Sequence, residues 1–172
     1  MKISAKLPQF NKNTALLIVT GQMGADFYKA LNGEVVKVAS FTIAKPKYSD
    51  HEGKFIRRGR GRIFSVGAVY EFDKSGTIKE FLRALENQTK ALVLKHKPAV
   101  SYLYAPAHLM KQIKSILLKY LGSSYMMSFR GNYHGYSPFE ILEMIGARET
   151  RRAISRRVEP TNREVIKILK RG

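Results

Sequence analysis

The sequence predicts an α/β fold: a mixed sheet that opens with a three-stranded antiparallel meander, continues in βα units and carries helices on both faces. Three observations predict it. Residues 15–41 hold three strand-like runs, the last two joined by Asn32-Gly33. From Thr77 onward, stretches of helical periodicity alternate with short runs rich in Val, Tyr and Phe. Apolar residues make up 44% of the 172, enough for a real core, so the chain is one folded domain and not a disordered basic tail.

The elements follow in order. Ala15 to Thr20 is a continuous apolar run closed by Gly21, which suits a strand buried on both faces. Ala25 to Leu31 and Glu34 to Phe41 form a hairpin about Asn32-Gly33, since both turn positions tolerate positive φ. Lys45 to Arg62, with Pro46, Gly53, Gly59 and Gly61, reads as an exposed loop. Ile63 to Phe72 returns to β-branched and aromatic residues and is a strand or extended segment; Asp73 to Gly76 is a turn. Thr77 with Glu80 forms a capping-box pattern, and Ile78, Phe81, Leu82, Leu85, Thr89, Leu92 and Val93 give a helix to about Lys95, stopping before Pro98. Ala99 to Ala105 is a strand ended by Pro106. Met110, Ile113, Ile116, Leu117 and Leu121 stripe a helix from about Ala107 to Leu121, with Gly122 as its stop. Tyr125 to Phe129 is a short strand. Ser137 as N-cap, Pro138 and Glu140 then start a helix that ends near Gly146. Residues 1–146 are therefore the α/β domain and 147–172 a basic arm, with a short terminal helix expected after Thr161.

Charge narrows the partner. Lys and Arg total 31 against 13 Asp and Glu, a formal net charge of +18. Such an imbalance opposes compaction unless a polyanion neutralises it, and nucleic acid does so by counterion release. A solvated basic domain with no such partner is the bland alternative. There is no Cys, which removes disulfides, thiol nucleophiles and thiolate metal sites, and fits a reducing compartment. No apolar run approaches the length of a membrane span and no secretory h-region opens the chain, so the expectation is a soluble, cytoplasmic protein.

Two stretches are candidate nucleic-acid contacts. Lys54, Arg57, Arg58, Arg60 and Arg62 lie in a glycine-containing segment, where guanidinium forks bind phosphate and stack on bases and Gly admits close backbone approach. Arg151, Arg152, Arg156 and Arg157 are two basic pairs in a terminal region of nine Lys or Arg and three Glu, Arg148 to Gly172. For each the plain alternative is a solvated surface. Gly131 to Tyr136 either presents aromatics to bases or makes a strand-to-helix turn with half-buried tyrosines. The four histidines, His51, His96, His108 and His134, show no metal-ligand spacing. The first strand, central in such a sheet, carries no acid, which argues against two-metal nuclease chemistry even with Asp26 in the second strand and Glu71 and Asp73 near the fourth. Gly21 to Gly24 is not followed by Gly-Lys-Ser/Thr, so it is no P-loop. No metal and no cofactor is expected.

The order of these elements resembles the ribonuclease-H-like sheet of the middle domain of archaeal and eukaryotic peptide-chain release factors and their Pelota relatives. It is more similar to the bacterial relatives that include the host-attachment proteins. Three stretches carry the resemblance: the opening strand with Gly21 and the Asn32-Gly33 hairpin; the basic, glycine-containing segment ahead of the long helix; and Val100 to Pro106, a helix, Tyr125 to Phe129, then Ser137-Pro138 and a helix. It covers about residues 13–146 and rests on order more than on a rare motif. The resemblance implies an RNA- or ribosome-facing module associated with translation, with rRNA or tRNA as partner. In true release factors the loop after the meander carries Gly-Gly-Gln, whose glutamine assists hydrolysis of peptidyl-tRNA. Here His51 to Arg62 has no glutamine, and Gln22 lies in the first turn, so release activity does not carry over. Two other classes stay open: a hydrolase of peptidyl-tRNA or RNA, and a protein-interaction adaptor.

Overall fold

The most apolar run of the chain becomes its central strand. β1 (Ala15–Thr20) is buried at every position, because strands flank it on both sides and helices cover both faces. The structure, a computed structural model, describes residues 1–44, 54–59, 62–67 and 74–152, and at 54–59, 62–67, 74, 75 and 126 it describes the backbone.

β1 pairs antiparallel with β2 (Gly24–Leu31), and β2 pairs antiparallel with β3 (Glu34–Thr42). The connecting Asn32 and Gly33 have φ of 49° and 74°, the positive values that a tight hairpin of the right twist requires. β4 (Lys54–Gly59) and β5 (Arg62–Gly67) form a separate two-stranded antiparallel sheet. α1 (Lys74–His96) follows, then β6 (Val100–Ala105), α2 (Met110–Leu121), a single 3₁₀ turn at Gly122–Ser124, β7 (Tyr125–Arg130) and α3 (138–152). β6 runs parallel to β1 and β7 parallel to β6, so the main sheet has the order β3-β2-β1-β6-β7.

Alternation along β1 divides the core in two. Leu16 and Ile18 pack with Phe27 and Leu103 against Phe81, Leu85 and Leu92 of α1 and Ile113, Leu117 and Leu121 of α2. Leu17 and Val19 pack with Tyr102, Tyr104 and Phe129 against Ile141, Leu142 and Ile145 of α3. Ile3, Leu7 and Phe10 from the N-terminal segment complete that second face, Phe10 meeting the Tyr102 ring edge-on at 6.1 Å. At about 2 kcal/mol for each fully buried large aliphatic side chain, these two layers are the main stabilising term. The expected α/β class, the meander and the placement of helices on both faces are all observed.

Four local expectations are corrected. Residues 54–59 are not loop but the strand β4; the rest of the expected loop, 45–53 and 60–61, lies outside the described residues, as does the end of the expected 63–72 strand beyond Gly67. α1 begins at Lys74, so Thr77 is inside its first turn and not its N-cap; it is buried against the core, a role that a Thr-x-x-Glu pattern does not distinguish from capping. α2 begins at Met110, where the Pro106 carbonyl accepts the amides of Leu109 and Met110; its end at Gly122, φ 51°, is as expected. α3 starts at the expected capping box: the Ser137 amide donates to Glu140 Oε2 (2.7 Å) and the Glu140 amide to Ser137 Oγ (3.3 Å). It runs through Gly146 to at least 152, and so across the expected 146/147 boundary. A helical Gly costs only about 1 kcal/mol. The added turn offsets it: Arg148 donates to the Ser128 carbonyl (2.7 Å) and lies over the Phe129 ring (5.0 Å), and the Tyr102 hydroxyl donates to Glu149 (3.1 Å). The terminal helix expected after Thr161 lies outside the described residues. Among the described residues no helix is long and apolar enough to cross a membrane.

Candidate nucleic-acid interface

The basic segment is built as a ribbon. The register pairs Lys54 with Gly67, Arg57 with Phe64, Arg58 with Ile63 and Gly59 with Arg62. Period-two alternation along that ladder divides the candidate cations between its two sides. Arg57 and Arg62 belong with Phe55, Phe64 and Val66; Lys54 and Arg58 belong with Ile56 and Ile63. Arg151 and Arg152 are exposed on the last described turn of α3. Arg60, Arg156 and Arg157 lie outside the described residues.

A third set of cations lies outside the stretches that sequence reasoning marks. α2 has three lysines and no acid over Met110–Leu121, and Lys111, Lys114 and Lys119 are all exposed. α1 adds exposed Lys79, Arg83 and Lys90. The two helices are joined where Glu86 accepts from the Tyr120 hydroxyl (2.9 Å) and Lys119 (3.4 Å). The hydrogen bond from Tyr120 holds the Glu86 carboxyl below the usual carboxylate range, so it stays ionised beside Lys119 and Lys90. The absence of an acid from an otherwise amphipathic helix is a signal that the sequence does carry. The described cations thus occupy both faces of the sheet, α1 and α2 on one and α3 on the other. Among the lysines and arginines whose side chains are described, only Lys37 and Lys119 lie within 4.0 Å of a carboxylate.

The remaining polar cluster sits where β2, β3 and the loop after β7 meet. Asp26 on β2 is nearly buried; its Oδ1 accepts from Lys37 Nζ (2.6 Å) and from the Ser40 hydroxyl (2.7 Å). Lys37 and Ser40 are an odd number of residues apart, and strict alternation would send them to opposite faces. A bulge between Phe27 and Tyr28 shifts the register, so Ser40 faces Asp26 while Lys37 faces Tyr28. His134 approaches from the loop, its Nε2 4.0 Å from Asp26 Oδ2. The ring lies close to the chain at Gly21 and Gly24: a Cβ there would come within 3.1 Å of His134 Cγ and 3.2 Å of its Nε2, respectively. So the glycines of the first turn make room for this imidazole.

Burial pushes the Asp26 carboxyl up, but the hydrogen bonds from Lys37 and Ser40 outweigh it, and its pKa ends below the ordinary value. The same contact raises that of Lys37, whose ammonium therefore stays charged and is no general base for Ser40 near neutrality. The cluster acts as a structural tie. A carboxylate whose folded pKa is lowered stabilises the fold above its unfolded value, near 4, and that contribution disappears as pH falls through the folded value. Asp26→Asn is accordingly expected to lower the urea midpoint at pH 7 and to converge on the parent protein near pH 2, read by circular dichroism across the pH range. Parallel curves would remove this role.

β1, central in the sheet, carries no acid, and among the described residues no three His, Cys, Asp or Glu side chains gather to hold a metal ion. No family model matches the chain, and no curated protein is significantly similar to it.

Proposed function

We propose that this protein is a noncatalytic RNA- or ribosome-binding module, related to the release-factor middle domain but without its hydrolytic Gly-Gly-Gln. The observation that carries the reading is the net charge of +18, with basic residues placed along the β4–β5 ladder and exposed on α1, α2 and α3. The architecture supports the relationship. An antiparallel meander, two further parallel strands and helices on both faces are the arrangement the resemblance implies. Docking is electrostatic, with phosphates neutralised by Lys54, Arg57, Arg58, Arg62, Arg151 and Arg152 and specificity drawn from RNA shape. A cytoplasmic, ribosome-associated location follows from the same reading.

The test is a salt titration of the full chain on ribosomal particles and on a structured rRNA fragment. For about six phosphate contacts, affinity is expected to fall roughly a thousandfold between about 50 and 200 mM monovalent salt. Absence of binding at the lowest salt would refute the reading. Cleavage of peptidyl-tRNA by the purified protein, with or without Mg²⁺, would replace it with the hydrolase alternative.

A further inference from the structure

The loop that follows β7, residues 131–136, is held at three points. The Gly131 amide donates to the Ala105 carbonyl (3.0 Å), which ties the loop to the end of β6. Tyr133 folds back over the chain, donating to the Arg130 carbonyl (3.1 Å); Gly131, at φ 154°, leaves the space, since a Cβ there would lie 2.7 Å from the Tyr133 ring. His134 is seated against Gly21 and Gly24. Behind the loop stands a ladder of rings. Phe129 stacks on Tyr104 at 4.4 Å and 3°, Tyr104 meets Tyr133 edge-to-face at 5.6 Å, and Tyr133 meets Tyr136 in the same way at 5.5 Å. The ladder runs from a fully buried tyrosine to one that is 44% exposed. Arg130 and Asn132, at the end of β7 and in the loop, are both exposed, and Gln22 is exposed on the turn that His134 contacts. No acid lies between Arg130 and Ser137.

We propose that Tyr136 is a stacking platform for an unpaired nucleobase of a single-stranded RNA segment. The inference rests on the RNA-binding reading above and names what one part of the surface takes. Every base offers a π-face to an exposed ring, whereas duplex bases hide theirs in the stack, so the platform selects unpaired RNA. Its pinned backbone reduces the ordering cost that a mobile loop incurs on binding. Arg130 supplies a cation for the flanking phosphate, and Asn132 and Gln22 supply hydrogen-bonding groups for base edges.

The test uses the full chain, a labelled twelve-nucleotide oligo(U) and an abasic ribose-phosphate oligomer of equal length, with binding read by fluorescence anisotropy at one low salt concentration. The parent protein is expected to prefer oligo(U), and Tyr136→Ala to weaken oligo(U) binding about tenfold while leaving the abasic oligomer unaffected. Tyr136→Phe, which keeps the aromatic face, is expected to restore the preference. Equal binding of oligo(U) by the parent and Tyr136→Ala, or equal losses on both oligomers, overturns the platform while leaving RNA binding in place. If the parent binds neither oligomer nor rRNA, the platform and the RNA-binding reading fall together.

Discussion

Replacing Lys54, Arg57, Arg58 and Arg62 together by alanine is expected to weaken RNA binding at low salt by on the order of a hundredfold or more, since each charged hydrogen bond to phosphate contributes about 1.5–3 kcal/mol before compensation. The slope of log affinity against log salt should flatten by roughly one for each phosphate no longer neutralised, so by up to about four. Both effects are read in one titration. The four positions lie in the β4–β5 sheet, which is separate from the five-stranded sheet, so the variant should keep the helical signal and thermal midpoint of the parent. A second variant, Lys111→Ala with Lys114→Ala, removes two exposed cations from α2 on one face of the main sheet. Weakening confined to this second variant would move the interface to the α1–α2 side and sink the ribbon as the RNA-binding element. Unchanged slopes in both would sink the electrostatic mechanism.

The second large effect is on stability. Tyr104 is fully buried on β6, stacks on Phe129 at 4.4 Å and donates its hydroxyl to the Ile141 carbonyl of α3 at 2.7 Å. Burial holds this phenol well above its usual range, so it stays neutral at any ordinary pH and the hydrogen bond is pH-independent. Tyr104→Ala opens a cavity under α3 and should cost about 3–5 kcal/mol, a large share of a typical total of about 5–15. Tyr104→Phe keeps the ring and should cost only about 1 kcal/mol, the net worth of one hydrogen bond. Urea unfolding followed by circular dichroism measures both. A cost below about 1.5 kcal/mol for the alanine variant, the size of a single hydrogen bond, would show that α3 is not anchored through this ring. Because Tyr104 also backs Tyr133 and hence Tyr136, the phenylalanine variant separates stability from binding: it should retain the oligo(U) preference.

The features legible beforehand share one property: their causes are local. Asn32-Gly33 marks its hairpin because the turn demands positive φ at both residues. Ser137 and Glu140 mark the start of α3 because both partners of the capping box lie within four residues. The buried character of β1 shows in its unbroken apolar run, and the stripe of α2 in the spacing of Met110, Ile113, Leu117 and Leu121. β5 showed in the β-branched and aromatic run from Ile63, whereas β4 stayed hidden because its arginines interrupt the apolar alternation that betrays a strand, although Arg57 is paired with Phe64 and Arg58 with Ile63.

Composition and local pattern thus predicted the fold class and most of the strand and helix order, since turn chemistry and periodicity are properties of neighbouring residues, and the charge of +18 raised the expectation of a polyanionic partner. Tertiary structure alone decided the rest. It extended α3 past Gly146 because Tyr102, Ser128 and Phe129 receive its next turn. It gathered Asp26, Lys37, Ser40 and His134 through a bulge that no alternation rule foretells. It also raised the loop after β7 on a ladder of rings drawn from two strands and the loop itself. Each of these depends on interactions between residues far apart in the chain, whose energies appear only when the sheet brings them within reach.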